Sequence, residues 1–350
     1  MKDKYCRVLH VGPNAVSTGG MVAVLKLYKG FLKKDFNLLP TTQSGVSIIF
    51  KILIFLKALI LFPFIVWIKR IKVVHIHSSS HLSFVRKSIF VFYAKLMGLR
   101  VVFHIHGGFF IDYYRKYQPY INQVLRHTEI ILTVSNYMKD GLLEYAPVGV
   151  PVRILYNPIS PPQSRTEKAK NGKIKVLFLG TMGDNKGIRI ILDCFEKYRE
   201  QLQPYVELHL GGIGPLVSEV KARIRNGLSG YIYYHGWVEG EQKYTLLKDS
   251  HIYLQPSVYE SLGIAIIEAM SYGAAIIASN RGGIPDLVEC GVNGFLIEPR
   301  CAEQLYECLD KLLSDKTLLL DMSEKSQLKS QCFYVDKIVQ ELGEIYQSLV

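Results

Sequence analysis

Short apolar runs rich in β-branched residues alternate along the chain with longer stretches whose apolar positions recur at helical spacing. This alternation predicts an α/β protein, with parallel sheets wrapped by helices. Strands are expected at residues 7–11, 73–77, 101–105 and 130–134, and again at 175–179, 207–210, 231–234, 251–254 and 275–278. Between the two groups, residues 157–172 are rich in Pro and polar side chains and lack apolar periodicity, as a linker does. Beyond it, 173–180 restarts with a strand and a glycine turn, as 7–12 does. A chain of 350 residues also exceeds one ordinary core and predicts about two domains. The expected division is an N-terminal Rossmann-like domain over 1–160, a linker over 161–172 and a second Rossmann-like domain over 173–333. Two such units in tandem leave a cleft at the carboxyl ends of their strands, where open α/β sheets bind ligands.

One segment departs from the alternation. Residues 46–68 are almost wholly apolar, yet Lys51 and Lys57 interrupt them and Pro63 lies inside. The longest charge-free part, 58–68, falls short of the roughly 20 residues that span a bilayer. A transmembrane helix is the least expected reading, and two others stand ahead of it: an apolar helix lying in a membrane interface, flanked by Lys69, Arg70 and Lys72, or a buried helix.

Charge sharpens the first reading. The net charge is +12, but residues 1–170 carry +17 and residues 171–350 carry −5. No acidic residue occurs from 36 to 111, a stretch holding Lys51, Lys57, Lys69, Arg70, Lys72, Arg86, Lys87, Lys95 and Arg100. Such asymmetry points to an anionic partner. Nucleic acid is not expected, because the basic segment has no recognised nucleic-acid motif. The six cysteines form no CxxC pair and no zinc or disulfide spacing, which fits a reducing cytoplasm. The N-terminus enters a buried strand almost at once, so no secretory leader is expected.

The densest chemistry lies in Pro256-Ser-Val-Tyr-Glu-Ser-Leu-Gly-Ile-Ala-Ile-Ile-Glu-Ala-Met-Ser-Tyr-Gly273. Ser261 is placed to cap a helix whose first amides, at Gly263 and Ile264, can hold a diphosphate. Glu268 sits farther along that helix, where an acidic residue can accept from both ribose hydroxyls, and Glu260 precedes it. Glu260 and Glu268, with Gly263 between them, resemble the two-glutamate motif of glycosyltransferase family 4. Phe178-Leu-Gly-Thr-Met-Gly-Asp-Asn-Lys-Gly187 is similar to the family's phosphate loop, and His209-Leu-Gly-Gly-Ile-Gly-Pro215 to its second glycine turn. Arg281-Gly-Gly-Ile-Pro-Asp286 and Asn293-Gly-Phe295 resemble its closing elements. The likeness is dense over 176–299 and thinner in the N-terminal half.

The resemblance implies the GT-B architecture, with two Rossmann-like domains facing a central cleft, the donor bound mainly by the second and the acceptor by the first. It also implies that 334–350 packs back on the first domain. Donor-binding residues are then Gly19, Gly20, Gly180, Thr181, Lys186, Gly263, Ile264 and Glu268. The catalytic set is His106, Glu260 and Lys186: His106 and Glu260 hold the donor sugar, and Lys186 neutralises the departing diphosphate. The family has an arginine where Thr181 stands, so another cation, with Arg189 as the candidate, is expected to serve. His75, His77, His104 and His106 invite a metal, but no carboxylate or cysteine accompanies them, and cleft or core histidines are the expectation. No Asp-x-Asp motif is present, so neither metal nor cofactor is expected.

The implied activity is retaining transfer of a hexosyl or N-acetylhexosaminyl group from a UDP- or GDP-linked sugar to a lipid-linked saccharide. Its expected setting is bacterial cell-surface polysaccharide synthesis, in the cytoplasm and peripherally on an anionic inner membrane face. Two alternatives remain open: a nucleotide-sugar epimerase or hydrolase on the same fold, or a catalytically weak nucleotide-sugar-binding scaffold subunit.

Overall fold

Every β-branched run predicted as a strand forms one, because such side chains pack on a pleated sheet covered on both faces. The computed structural model describes residues 3–17, 19–163 and 172–350; Thr18 and residues 164–171 of the predicted linker lie outside the described residues. The chain divides into two units, Met1–Ser160 with Phe333–Val350, and Pro161–Cys332.

The first unit holds β1 (Val8–Gly12), β2 (Asn37–Pro40), β3 (Val73–Ser78), β4 (Arg100–Ile105), β5 (Ile130–Thr133) and β6 (Val152–Ile154). They form one parallel sheet in the order β2-β1-β3-β4-β5-β6. Every residue of β1 and β3 is buried, as expected of strands covered on both faces. The chain leaves β1 toward β2 on one side and returns to β3 on the other, so the loops after β1 and β3 diverge at a topological switch point. The helices used below are α1 (Gly20–Leu32), α2 (Ile48–Lys69), α3 (Leu82–Leu96) and α4 (Phe110–Lys116). The C-terminal helix Val335–Leu349 belongs to this unit, burying Ile338, Val339, Leu342 and Tyr346, and Tyr5 donates to the Val339 carbonyl at 2.9 Å.

Helix α2 settles the two readings of the apolar segment against simple burial. It runs for 22 residues, long and apolar enough to cross a membrane, with Pro63 inside. Only Ala58, Phe62 and Val66 are buried, one stripe at successive turns. Phe62 stacks with Phe90 and Tyr93 of α3 at 5.5 and 5.0 Å. Ile48, Ile49, Phe50, Ile60, Phe64 and Trp67 are all exposed, Trp67 by 80%.

The second unit holds β7 (Ile174–Leu179), β8 (Val206–Gly211), β9 (Ile232–Tyr234), β10 (Ile252–Gln255), β11 (Ala275–Ser279) and β12 (Gly294–Ile297). Its parallel sheet has the order β12-β11-β10-β7-β8-β9, with the switch point between β7 and β10. Helices α5 (Ile188–Lys197), α6 (Gly240–Asp249) and α7 (Ile264–Ser271) follow β7, β9 and β10. Ile188, Ile191 and Phe195 on one face of α5 enter the core with Val176, Phe178 and Ile252.

Candidate active site

The loops after β7 and β10 meet at the switch point of the second unit, and glycines let them touch. Gly187, at φ 74, starts α5, and a β-carbon there would overlap the Pro256 carbonyl oxygen. The Val258 amide donates to the Asn185 carbonyl at 3.0 Å, so the two loops are one hydrogen-bonded unit. Gly212, at φ 141, lies against the Gly180 carbonyl in the same way, and the Gly180 amide donates to Gly211 at 3.0 Å. Gly282, at φ 58, packs on the Glu260 carbonyl, and the Gly283 amide donates to that oxygen at 3.0 Å. Only glycine permits such backbone approach at these angles. Below them a buried polar chain holds the loop after β10. The Tyr253 hydroxyl donates to Leu179 O at 2.9 Å, the Gln255 amide to Ser257 Oγ at 2.7 Å, and Ser279 Oγ to Ser257 O at 2.5 Å.

Helix α7 does not begin as the sequence suggests. Its cap is Gly263, at φ 102, and not Ser261; no side chain caps it. The left-handed glycine turns the chain into the helix more sharply than a serine cap allows, so the leading amides of Ile264 and Ala265 are left for an external acceptor. An uncapped helix N-terminus beside a glycine turn suits a phosphate group.

Charged side chains complete the site. Lys186, in the turn Asp184–Lys186, donates to Glu260 Oε2, both partly buried. Glu268, on α7, accepts from Lys243 Nζ of α6 at 2.6 Å. Lys243 was invisible in the sequence, because nothing in its spacing announces that α6 faces α7. Thr181 is exposed on the loop after β7. Arg189, the candidate for the charge that Thr181 does not supply, has its guanidinium engaged by both Glu219 oxygens, at 2.9 and 2.6 Å, and by Asp184. Those carboxylates hold it firmly charged, its pKa raised by the Glu219 hydrogen bonds first. Gly180, Thr181, Lys186, Glu260, Gly263, Ile264 and Glu268 are thus gathered around the loops after β7 and β10.

In the first unit Gly19, at φ 117, and Gly20 open α1 without a side-chain cap. His106 follows β4 and is 8% exposed. It ends a column of five buried imidazoles that the parallel register of β1, β3 and β4 stacks together. His10 Nδ1 lies 3.0 Å from His77 Nε2, and His77 Nδ1 lies 2.9 Å from His106 Nε2. The Tyr346 hydroxyl lies 2.6 Å from His75 Nδ1, and His75 Nε2 lies 3.2 Å from His104 Nδ1. Burial pushes His10 and His106 down to about 3 and lowers the other three well below the ordinary histidine range, so all five are neutral at pH 7. His10 with His75 and His77, and His77 with His104 and His106, each bring three ring nitrogens within 4.8 Å, close enough for a metal ion. The hydrogen bonds form two short chains, His10 to His77 to His106 and Tyr346 to His75 to His104, while His104 Nε2 and His106 Nδ1 are buried without a partner among the described residues.

Two Rossmann-like units, the second with a phosphate-ready helix and paired lysines and glutamates at its switch point, define a glycosyltransferase of the GT-B class. The Anabaena protein HepE, solved in complex with UDP, has this fold, with a TM-score of 0.79 over 98% of this chain and 100% of its own at 16% identity. The family profile described as Glycosyltransferase Family 4 matches residues 43–162, and that described as Glycosyl transferases group 1 matches residues 160–329. The chain belongs to glycosyltransferase family 4, and glycosyl transfer is its class of reaction. Among its relatives, a 41.2 kDa protein in the cps region of Klebsiella pneumoniae is 26% identical over 269 residues, 71% of this chain and 72% of that one. A putative colanic acid biosynthesis glycosyltransferase of Salmonella typhimurium is 22% identical over 244 residues, 67% of this chain and 60% of that one.

Proposed function

We propose that this protein is a retaining transferase that moves a hexosyl or N-acetylhexosaminyl group from a UDP- or GDP-linked donor to a lipid-linked saccharide. The setting is synthesis of a bacterial surface polysaccharide at the inner face of the membrane. The observation that carries the donor half is the uncapped N-terminus of α7 flanked by the Lys186–Glu260 and Lys243–Glu268 pairs. In this reading the diphosphate sits on the amides of α7 and draws the Lys186 ammonium from Glu260. The freed Glu260 carboxylate accepts hydroxyls of the donor sugar, and Glu268 accepts the ribose hydroxyls. The acceptor hydroxyl attacks the anomeric carbon on the face from which the phosphate departs, and the departing phosphate oxygen takes its proton. No protein carboxylate acts as nucleophile, unlike the usual retaining glycosidase. Lys186 and the helix end supply the positive charge, so neither metal nor cofactor is required. HepE's UDP complex supports the choice of donor, and the cps and colanic acid relatives support the setting.

The donor assignment is tested by thermal shift with a panel of UDP- and GDP-sugars. Glu268→Ala is expected to weaken binding of the bare nucleoside diphosphate, and Glu260→Ala to spare it while lowering turnover. Equal loss of nucleotide affinity in both variants contradicts that division. One observation favours a catalytically weak binding subunit instead: Thr181 replaces a cation and Arg189 is committed elsewhere. Donor binding without turnover on any lipid-linked acceptor would select it.

Membrane docking rests on α2, whose exposed apolar sides are flanked by Lys69, Arg70 and Lys72. Each basic residue near an anionic surface contributes about 1 kcal/mol, and apolar insertion adds to it. The intact protein should float with anionic liposomes at low salt. A variant with Lys69, Arg70 and Lys72 changed to Glu, and Leu56 and Phe64 to Ser, should not. Equal behaviour of the two sinks the docking.

A further inference from the structure

Helix α3 carries a charge that the fold leaves uncompensated. Lys87 is 1% exposed, and its ammonium reaches back one turn to Ser83 Oγ at a long 3.5 Å. No carboxylate pairs with it among the described residues, and none occurs in the sequence from 36 to 111. Its neighbour Arg86 is also partly buried, with Nε unpartnered. Burying a cation without a counter-charge costs several kcal/mol. Burial, and then the Arg86 charge, push Lys87 down to about 7.

The surroundings say what would offset that cost. Side chains on a helix lean toward its N-terminus, so Lys87 points to the first turn of α3, where no side chain caps the helix. That turn follows β3 through Ser79, Ser80 and His81, the last held left-handed at φ 56. The Ser79 amide donates to Ser83 Oγ at 3.3 Å, drawing the loop toward the ammonium. Gly107 seats the loop after β4 against it: a β-carbon there would come within 2.7 Å of Ser79 Cβ, and the His106 amide donates to Ser78 O at 2.9 Å. The Lys87 charge reaches His106, lowering its pKa further. A buried ammonium and a helix N-terminus therefore meet at the carboxyl ends of β3 and β4, beside the switch point of the first unit, and the half-buried Arg86 is the next residue on the helix. A tetrahedral dianion accepts from several directions at once and matches that set.

We propose that Lys87, Arg86 and the Leu82 and Phe84 amides of α3 bind a phosphate group of the acceptor. The assignment rests on the lipid-linked reading above and deepens it: a prenyl diphosphate that carries a saccharide would present its phosphate here. The same chemistry could be met by the donor's diphosphate, and the experiment separates the two.

Farnesyl diphosphate, inorganic pyrophosphate and UDP are titrated calorimetrically into the wild type, Lys87→Met and Lys186→Met. Methionine matches lysine in length and suits a buried site, so Lys87→Met should melt no lower than the wild type; Lys87→Gln stands in if it fails to fold. Farnesyl diphosphate should bind the wild type and lose at least about tenfold in affinity in Lys87→Met, where UDP affinity is unchanged. Lys186→Met should show the reverse. Unchanged farnesyl diphosphate affinity in Lys87→Met overturns the site, and loss of UDP affinity there assigns the phosphate to the donor and overturns the acceptor role. Transfer to a lipid-linked acceptor at full rate in Lys87→Met would sink the site and leave the proposed function standing. Lys87-dependent binding of farnesyl diphosphate with no transfer to any lipid acceptor would do the opposite.

Discussion

In the second unit the chain steps outward from β7 to β8 and β9 before crossing back to β10; in the first it takes one step, to β2, and crosses to β3 through the 22 residues of α2. The two switch points are then stiffened by different means. Around β7 and β10 backbone touches backbone, with Gly187 on Pro256, Gly212 on Gly180 and Gly282 on Glu260. Around β1, β3 and β4 side chains do the work, through five stacked imidazoles and Tyr346, while a β-carbon on Gly19 in the loop after β1 would meet no described atom within 4 Å. Charge divides the same way. The second unit pairs its site lysines with glutamates, whereas Lys87 of the first has no carboxylate partner among the described residues. A Rossmann-like sheet thus specifies where a ligand site lies, and the local packing specifies how rigid and how charged it is.

Acid should break this comparison most strongly. An unfolded histidine titrates near 6.5, whereas His10 and His106 titrate at about 3 when buried. Their folded pKa is depressed, so below 6.5 the unfolded state binds more protons. The stability they contribute is complete above about pH 6.5 and is lost as pH falls toward 3. At pH 5 each costs about 2 kcal/mol, and His75, His77 and His104 add losses of the same sign. In the second unit His209, at about 4, and His235 shift the same way but are fewer and less buried. Hydrogen exchange compared at pH 7.5 and 5 should therefore show β1, β3 and β4 losing protection before β7 and β10. Uniform loss would mean that the column is not the acid-labile element.

Alanine at glycines of the two units gives a finer contrast. Gly187→Ala combines a left-handed backbone with a clash against a carbonyl and should cost about 3 kcal/mol in urea unfolding, with loss of nucleotide binding. Gly19→Ala meets only the backbone penalty, about 1 kcal/mol, since its surroundings are open. Similar costs at both positions would mean that the loops of the second unit can rearrange, and that the backbone lock described for them is not rigid.

Much of this was legible in the linear pattern. The central strands, buried on both faces, read as continuous apolar runs, and the glycine turns after β7 and β8 stand out because backbone contact tolerates nothing larger. What escaped the pattern lies where burial is partial. Strands β2, β6 and β12 are four, three and four residues long, at sheet edges, and only partly buried, too short for a period to show in the sequence. The cap of α7 was misplaced by two residues, because Ser261 has the right chemistry for capping while Gly263 has the right backbone angle.

The sequence by itself determined the class of fold, the order of the elements, the glutamates that flank the start of α7 and the basic bias of the first half, since each depends on composition and on spacing along the chain. Only the tertiary structure decided which charges meet. Lys186 finds Glu260 across 74 positions and Lys243 finds Glu268 across 25, Arg189 is taken by Glu219, and Lys87 is buried with no carboxylate partner among the described residues. It also decided that α2 keeps its apolar sides in the open. The reason is physical: burial and pairing are properties of surfaces brought together by the crossovers of the sheet, and periodicity marks which face of an element is apolar without naming what will cover it.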